Sequence, residues 1–380
     1  VVAGQTFTLT TGLDTLTGAS TNDTFSAVDA AAINNVPTTT INSGDSINAG
    51  AGTDRLSVVA STGSATTSAQ VSSSTVEEVA VYNNSAAAYA ADTTLMTGLT
   101  DLFVVAGIND VSFIGVNSSP NVHLTSVSND VTVTNAATVG LGDADAVTIA
   151  LNGASATAAS TLTYNDIETF NVVTSGAATG TATRSQSLVS ADLETVNVSG
   201  SAAANITATM TGAALDAQVG TLDASDMTGA LTATVGAGVS GLLAVTGGAG
   251  ADSLTVNGGA MNSDLTIDGG AGVDTLVVTS AAYSKTSTTG QAGDGVTNME
   301  VLAVLGSADA RAFSNNTFAG IASLGAASIT GLGTDAVSLT ATAGGNQTLD
   351  RATDGAADVA TVSLAGAAAQ TIASLNVADE

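Results

Sequence analysis

The sequence contains no cysteine, only two prolines (Pro37 and Pro120), and only five lysines and arginines among its 380 residues. Without cysteine, the chain cannot form disulfides, thiolate metal sites or a thiol nucleophile. Nucleic acid and anionic membranes are poor partners, because both attract basic residues and this chain carries a net charge of −28. No apolar run reaches the roughly 18 residues of a membrane span, so no transmembrane segment is predicted.

Aromatic residues make up only 3% of the chain and tryptophan is absent, although 44% of the residues are hydrophobic. The apolar residues are therefore mostly Ala, Val, Leu and Ile. This composition favours thin, repeated layers over one bulky globular core. It also argues against disorder, because disordered acidic chains are poor in these aliphatic residues.

Short runs of β-branched and alternating residues recur along the chain, separated by Gly, Asn, Asp and Ser. Examples are LSVVA at 56–60, VTVTN at 131–135 and TLVVT at 275–279. Such runs predict strands. Helical periodicity is weak, with 213–219 among the few candidate helical turns. We expect an all-β fold.

A second recurring phrase places an acidic residue just before a predicted strand. Its copies are VEEVAVYN at 76–83, IETFNVVTSG at 167–176, LETVNVSG at 193–200 and MEVLAVLG at 299–306. The interval from Glu168 to Glu194 fits the length of one coil of a solenoid. Chance recurrence in a chain of low complexity is the alternative.

Gly-Gly pairs begin at 247, 258 and 269, each eleven residues after the last. The first and third copies lead to Asp252 and Asp274, whereas the middle copy has Ser263 and Asp264 at that offset. Near the amino terminus, aspartates in glycine-containing turns are nine residues apart, in the pairs Asp14 with Asp23 and Asp45 with Asp54. This spacing matches the G-G-x-G-x-D-x-U-x pattern of calcium-binding parallel β-helices.

The residue types suit a calcium site. Glycine permits tight turns whose carbonyl oxygens can point at a cation, and aspartate adds a short carboxylate. Calcium takes about 6–8 oxygens, more than one turn offers, so adjacent coils must contribute. A coil made of two such eleven-residue intervals would stack Asp252 and Asp274 on one face and put Ser263 and Asp264 on the other.

Stacked carboxylates about 4.8 Å apart repel by about 3 kcal/mol at an effective dielectric of about 20, and a divalent cation between them reverses the sign. The predicted metal-binding residues are Asp14, Asp23, Asp45, Asp54, Gly247, Gly250, Asp252, Asp268, Gly269, Gly272 and Asp274. The alternative is that these are ordinary glycine-aspartate turns of a solenoid without metal.

The two prolines give few boundary signals, so the predicted divisions are coarse. We divide the chain into 1–120, a β region with aspartate turns, 121–235, a threonine-rich solenoid region, and 236–380, which contains the glycine-aspartate repeats and a carboxy-terminal β region.

No catalytic pattern is recognisable. The single histidine, His123, lies in the alternating stretch NVHLTSV, which suggests a surface or groove position. HExxH, P-loop and GxSxG motifs are missing from the sequence. Paired carboxylates could cleave glycosides, but here the aspartates fall in the predicted metal turns. We expect a protein without enzymatic activity.

The stretches TLTTGLDTLTGASTNDTF and INSGDSINAGAGTDRLSVV resemble the start of the lattice-forming part of RTX-type surface-layer (S-layer) proteins of Gram-negative bacteria. Later segments are similar to that family too: IETFNV, LETVNV, DASDMTGALTATV, GGAGADSLTV and IDGGAGVDTLVV. The resemblance implies a calcium-dependent β-solenoid, type I secretion and assembly into a two-dimensional sheet. It also implies attachment to cell-surface polysaccharide through a region outside this sequence.

The sequence therefore predicts an elongated, mainly parallel, all-β solenoid (a β-roll or β-helix) with RTX-like turns that bind Ca²⁺. We expect it at the bacterial cell surface, associating with copies of itself as an S-layer or related lattice. The alternative is an RTX-type adhesin or filament domain that binds carbohydrate or other cells.

Overall fold

A computed structural model describes residues 4–30, 38–61, 63, 66–105, 107–125, 127, 129–136, 145–152, 160–175, 184–210, 220–236, 243–256, 266–279, 296–299, 301–305, 312–314, 320–323, 328–332, 346–351 and 374–378. All regular secondary structure in these residues is β-strand. The candidate helical turn at 213–219 lies outside them. The chain divides into two units, Val1–Leu193 and Glu194–Glu380. The predicted division into three regions stays a prediction.

The first unit contains fifteen described strands of three to seven residues. They are β1 (Thr6–Thr8), β2 (Thr15–Thr17), β3 (Thr24–Asp29), β4 (Ser46–Asn48), β5 (Arg55–Ala60), β6 (Glu78–Asn83), β7 (Tyr89–Asp92), β8 (Asp101–Val105), β9 (Val111–Val116), β10 (Asn121–Thr125), β11 (Val131–Asn135), β12 (Ala146–Asn152), β13 (Ser160–Tyr164), β14 (Thr169–Ser175) and β15 (Arg184–Ser190).

These strands form two main parallel sheets. One has the order β1-β3-β5-β6-β8-β10-β12-β14, and the other has the order β7-β9-β11-β13-β15. A short parallel pair joins β2 to β4. Because from β6 onward consecutive strands alternate between the two main sheets, each coil there adds one strand to each. This arrangement is a parallel β-solenoid and confirms the fold class predicted from the sequence.

The second unit contains the remaining described strands. They are β16 (Thr195–Gly200), β17 (Ala204–Met210), β18 (Gly220–Asp223), β19 (Leu231–Gly236), β20 (Leu243–Thr246), β21 (Ser253–Val256), β22 (Thr266–Asp268), β23 (Thr275–Thr279), β24 (Val296–Thr297), β25 (Val301–Leu305), β26 (Ala312–Ser314), β27 (Gly320–Ser323), β28 (Ser328–Leu332), β29 (Asn346–Arg351) and β30 (Ser374–Ala378).

The second unit is built in the same way. Parallel strands run in the order β16-β18-β20-β22-β24 in one sheet and β17-β19-β21-β23-β25-β27 in the other. A further parallel sheet has the order β26-β28-β29-β30. Ser253 pairs with Thr275 and Thr275 pairs with Val301, so successive coils keep the strands in register.

Coil length varies while the register is kept. Asn121 of β10 pairs with Asp101 of β8, only 20 residues earlier. At the start of β3 and β5, by contrast, the hydrogen-bonded residues Asp23 and Asp54 are 31 residues apart. The longer coils therefore have more residues in the segments that connect one strand to its partner in the next coil.

The core consists of inward columns of aliphatic and aromatic side chains. Alternating burial along strands such as β3 and β5 sends every second residue inward, as a pleated strand requires. One column consists of Phe25, Leu56, Val79, Leu102 and Val122, each at most 2% exposed. Burial of each such side chain stabilises the fold by about 1.5–3 kcal/mol. Thin layers of this kind are what the composition predicts.

Candidate functional site

Acidic side chains from successive coils form hydrogen-bonded columns, which we call carboxylate ladders. In the first unit, the Asp23 amide donates to Oδ1 of Asp54 at 2.6 Å, and the Asp54 amide donates to Oε2 of Glu77 at 2.8 Å. Below them, the Gln5 amide donates to Oδ1 of Asp23 at 2.7 Å. Each carboxylate thus accepts a hydrogen bond from the backbone N–H of a residue just before a strand in the neighbouring coil.

A second ladder in the same unit joins Asp14 to Asp45. The Asp14 amide donates to Oδ1 of Asp45 at 2.9 Å, across 31 residues of sequence. The members of each nine-residue pair, such as Asp14 and Asp23, therefore belong to different ladders. In both ladders the stacked aspartates are 31 residues apart, because one complete coil separates them.

A third ladder in the second unit joins Asp252 to Asp274. The Leu231 amide donates to Oδ1 of Asp252 at 2.8 Å, and the Asp252 amide donates to Oδ1 of Asp274 at 2.7 Å. The stacking expected for these two aspartates, which are 22 residues apart, is confirmed. Ser263 and Asp264, expected on the other face, lie outside the described residues.

The second carboxylate oxygen closes the turn of its own coil. Oδ2 of Asp23 accepts the Ala19 amide at 2.6 Å, and Oδ2 of Asp252 accepts the Gly248 amide at 2.6 Å, in each case four residues earlier. The same bond joins Asp14 to Thr10, and Asp45 accepts the Asn42 amide three residues earlier. Aspartate suits this position because its short side chain reaches both its own turn and the next coil.

The ladder aspartates are buried, with exposures of 0% for Asp45, Asp54 and Asp274 and 9% for Asp14. Burial disfavours the ionised form unless hydrogen bonds or cations compensate. Backbone hydrogen bonds from Ala19 and Gln5 lower the pKa of Asp23. Burial raises the pKa of Asp54 and of Asp252. Ionised Asp54 and Asp252 thus carry an electrostatic cost that their hydrogen bonds only partly offset.

The predicted glycines allow the coils to approach closely. A Cβ added at Gly247 would lie 2.2 Å from the Gly269 carbonyl oxygen and 2.8 Å from Oδ2 of Asp252. A Cβ at Gly269 would lie 1.9 Å from the Asn298 carbonyl oxygen and 2.9 Å from Oδ2 of Asp274. At each position a carbonyl oxygen and a carboxylate oxygen therefore converge where a side chain would otherwise sit.

Gly250 and Gly272, the other two glycines predicted to bind metal, are needed for different structural reasons. Gly272 has a φ of +147°, which a residue with a side chain rarely adopts. Gly250 faces the backbone of Gly229, with the added Cβ 2.6 Å from its carbonyl oxygen. Close packing, and at Gly272 also the backbone conformation, explains why glycine is used.

Asp268 is among the predicted metal ligands, but the structure does not join it to the ladder of Asp252 and Asp274. It ends β22, and its Oδ1 accepts the Gly270 amide at 3.0 Å and a hydrogen bond from Nδ2 of Asn298 at 2.8 Å. Its side chain is half-buried. Asp268, directly before a Gly-Gly pair, therefore caps the turn, whereas Asp252, after such a pair, closes it.

The sequence analysis did not predict that acidic residues of the acid-before-strand phrase also form ladders. Glu77 lies above Asp54, and the Asp145 amide donates to Oε2 of Glu168 at 2.7 Å. Burial raises the pKa of Glu168, and the nearby charge of Asp145 adds to this effect. The acid-before-strand phrase itself was the signal, because its glutamates occupy the same pre-strand position as the aspartates.

The donor set fits a hard cation such as Ca²⁺. The ladders offer carboxylate oxygens beside turn carbonyl oxygens, and Oδ2 of Asp54 is buried without a hydrogen-bond partner. Across the described ranges, no three or more His, Asp or Glu side chains are grouped as a ready-made metal site. An ion at a ladder would therefore take most of its ligands from turn carbonyls.

A second charged cluster lies on the outward side of the β5-β6-β8-β10 sheet. Arg55 pairs with Glu78 at 2.6 Å and lies 4.1 Å from the centre of the Phe103 ring. The ring of His123 stacks on Phe103 at 4.2 Å, and its Nε2 is 2.6 Å from Oδ1 of Asp101. The outward position of His123 agrees with the surface role expected from the sequence.

No protein-family model and no curated protein matches this chain. Nothing in the part of the chain that the structure describes is a helix of the length and hydropathy needed to cross a membrane.

Proposed function

We propose that this chain is a structural protein whose solenoid is stabilised by Ca²⁺ and which assembles with copies of itself at the bacterial cell surface, as an S-layer or a related lattice. The proposed stabilisation by Ca²⁺ is supported mainly by the buried carboxylate ladders. The cell-surface location and type I secretion come from the resemblance to RTX-type S-layer proteins. No enzymatic step is part of this proposal.

The charge of the chain supports a role for a divalent cation. With 33 acidic groups against five lysines and arginines, the ladders lie in a strongly negative field. Stacked ionised carboxylates repel one another, and the effect is larger where the surroundings exclude water. A cation held by ladder carboxylates and glycine-turn carbonyls would offset this repulsion and stabilise adjacent coils.

The outward surface supports self-association. Outward positions of β3 and β5 include Ser26, Ser57 and Val59, which are short side chains in register on adjacent coils. Ordering such side chains at an interface costs little conformational entropy. Short outward side chains of this kind suit close contacts between identical subunits.

The test is to purify the chain, remove cations with a chelator, and follow thermal unfolding with and without added CaCl₂, with MgCl₂ as the control. Calcium at about 100 times its dissociation constant would add about 2.7 kcal/mol, which corresponds to an increase of about 5–10 °C in Tm. Equal unfolding with and without calcium would refute the calcium part.

Assembly is tested separately by negative-stain electron microscopy of the same samples. We expect ordered sheets or filaments only when calcium is present. A calcium-bound monomer that binds bacterial polysaccharide on a glycan array would instead support the RTX-type adhesin alternative.

A further inference from the structure

Asp54 has one carboxylate oxygen that no hydrogen bond satisfies. Its Oδ1 accepts the Asp23 amide at 2.6 Å, whereas its Oδ2 is buried and has no partner. The residue is 0% exposed. A buried, ionised oxygen without a donor is strongly unfavourable, so a proton or a cation is needed beside it.

The turn before Asp54 explains why this oxygen is left open. In the Asp23 turn, the amide four residues earlier fills Oδ2. The corresponding residue before Asp54 is Gly50, whose φ of +102° gives the turn a different backbone path. The flanking amides point elsewhere, with Ala49 donating to Oγ1 of Thr75 at 2.7 Å and Ala51 donating to the Ala19 carbonyl at 3.2 Å.

The next coil brings a second carboxylate to the backbone amide of Asp54. The Asp54 amide donates to Oε2 of Glu77, and the Glu77 amide donates back to the Asp54 carbonyl at 3.1 Å. These reciprocal bonds hold the Glu77 carboxylate against the backbone of Asp54. Thr75, two residues before Glu77, brings its hydroxyl oxygen to the amide of Ala49, in the turn before Asp54. The carboxylate and hydroxyl groups named here all offer hard oxygen atoms, the type of ligand that Ca²⁺ prefers.

We propose that Asp54 and Glu77 together hold a Ca²⁺ ion, and that Glu77 is a metal ligand from outside the glycine-aspartate turns. The ion joins the last glycine-rich coil near the amino terminus to a coil whose turn contains no glycine. This inference rests on the proposed calcium dependence. It identifies the ladder position where a carboxylate oxygen without a hydrogen-bond partner, Oδ2 of Asp54, can bind the ion.

The experiment uses the full chain after chelation, titrated with CaCl₂ in a calorimeter, together with circular dichroism to verify folding. Two charge-removing variants are Asp54→Asn and Glu77→Gln, and Gln retains a carbonyl oxygen that can accept the Asp54 amide. The matched control is Glu78→Gln, one residue away from Glu77 and paired with Arg55.

We expect Asp54→Asn and Glu77→Gln each to weaken the tightest calcium site at least roughly tenfold, since affinity follows the number of charged ligands. The Glu78→Gln control should retain that site. Retention of the site in both folded variants would overturn this inference alone, because calcium would then bind elsewhere. A wild-type chain that binds no calcium would overturn both this inference and the calcium part of the proposed function. If Asp54→Asn fails to fold, Glu77→Gln decides the outcome.

Discussion

The backbone amide of Asp252 donates a hydrogen bond to Oδ1 of Asp274 at 2.7 Å, although the two residues are 22 positions apart. The Asp274 carboxylate therefore fixes the start of the strand in the preceding coil. Asp252 does the same for Leu231 and also closes its own turn through Gly248. A ladder aspartate thus links local turn geometry to the stacking of coils.

Replacing Asp252 by alanine should strongly destabilise the second unit even when calcium is absent. The change leaves the buried amides of Leu231 and Gly248 without an acceptor, and each costs about 1–3 kcal/mol. Urea denaturation in chelator measures the loss. The exposed Asp226 provides the control, and Asp226→Ala should change stability by less than about 0.5 kcal/mol. Equal effects of the two variants would contradict the structural role of the ladder.

Gly18→Ala should destabilise the first unit, whereas Gly12→Ala should not. A Cβ at Gly18 would lie 2.1 Å from the Ala49 carbonyl oxygen and 2.6 Å from Oδ2 of Asp23, whereas at Gly12 the nearest atom is 3.7 Å away. Overpacking of this kind costs about 1–3 kcal/mol. The two alanine variants are compared by thermal unfolding under identical conditions. A smaller loss for Gly18→Ala than for Gly12→Ala would refute the close approach of these coils.

Without calcium, stability should fall as the pH rises above about 4. Burial raises the folded-state pKa of Asp54 and Asp252 above the unfolded value of about 3.9. Their contribution is fully present below that value and is lost as the pH rises through the folded pKa. Tm measured against pH in chelator tests this, and Asp54→Asn should reduce the slope. An unchanged slope in that variant would mean that Asp54 does not titrate in this range.

Asp101 should have the opposite pH dependence. Burial raises its pKa, but hydrogen bonds from His123, Thr100 and Asn121 and the charge of His123 outweigh this, and the pKa is lowered. The stability it contributes is present above the unfolded value of about 3.9 and is lost as the pH falls through the lower folded pKa. Asp101→Asn should therefore remove part of the acid destabilisation, as measured by Tm below pH 4.

The stacking of Arg55 and His123 on Phe103 should contribute measurable coupling energy. The ring lies between the guanidinium and the imidazole, at 4.1 Å and 4.2 Å. A double-mutant cycle of Arg55→Met and Phe103→Leu should give about 0.5–1 kcal/mol. The ion pair with Glu78 is partly exposed and adds little by itself. A coupling energy of zero would contradict this geometry in solution.

Much of the fold was predictable because its signals are local. Alternating runs such as 131–135 and 275–279 predicted strands, and β11 and β23 occupy these residues. The repeated eleven-residue interval predicted the stacking of Asp252 on Asp274, because both turns have the same length. A glycine pair followed by an aspartate at a fixed offset is enough to place a turn.

Long-range partners could not be predicted in this way. Asp23 stacks on Asp54 because a coil of 31 residues separates them, and that length is not encoded in the nine-residue spacing. Glu77 joins the ladder although its turn has no glycine. The contact between Phe103 and His123 depends on the register of β8 and β10, which only the completed stack fixes. Asp268 has the expected residue type, but its position before the Gly-Gly pair turns its side chain away from the ladder.

Coils of unequal length stack in register, so the segments between strands can differ in length. Asp23 and Asp54 are joined across 31 residues, and Asp101 and Asn121 across only 20 residues, without loss of alignment. Segments between strands can therefore grow or shrink during evolution while the inner scaffold stays the same. An engineer could use the same tolerance to graft a foreign epitope into such a segment.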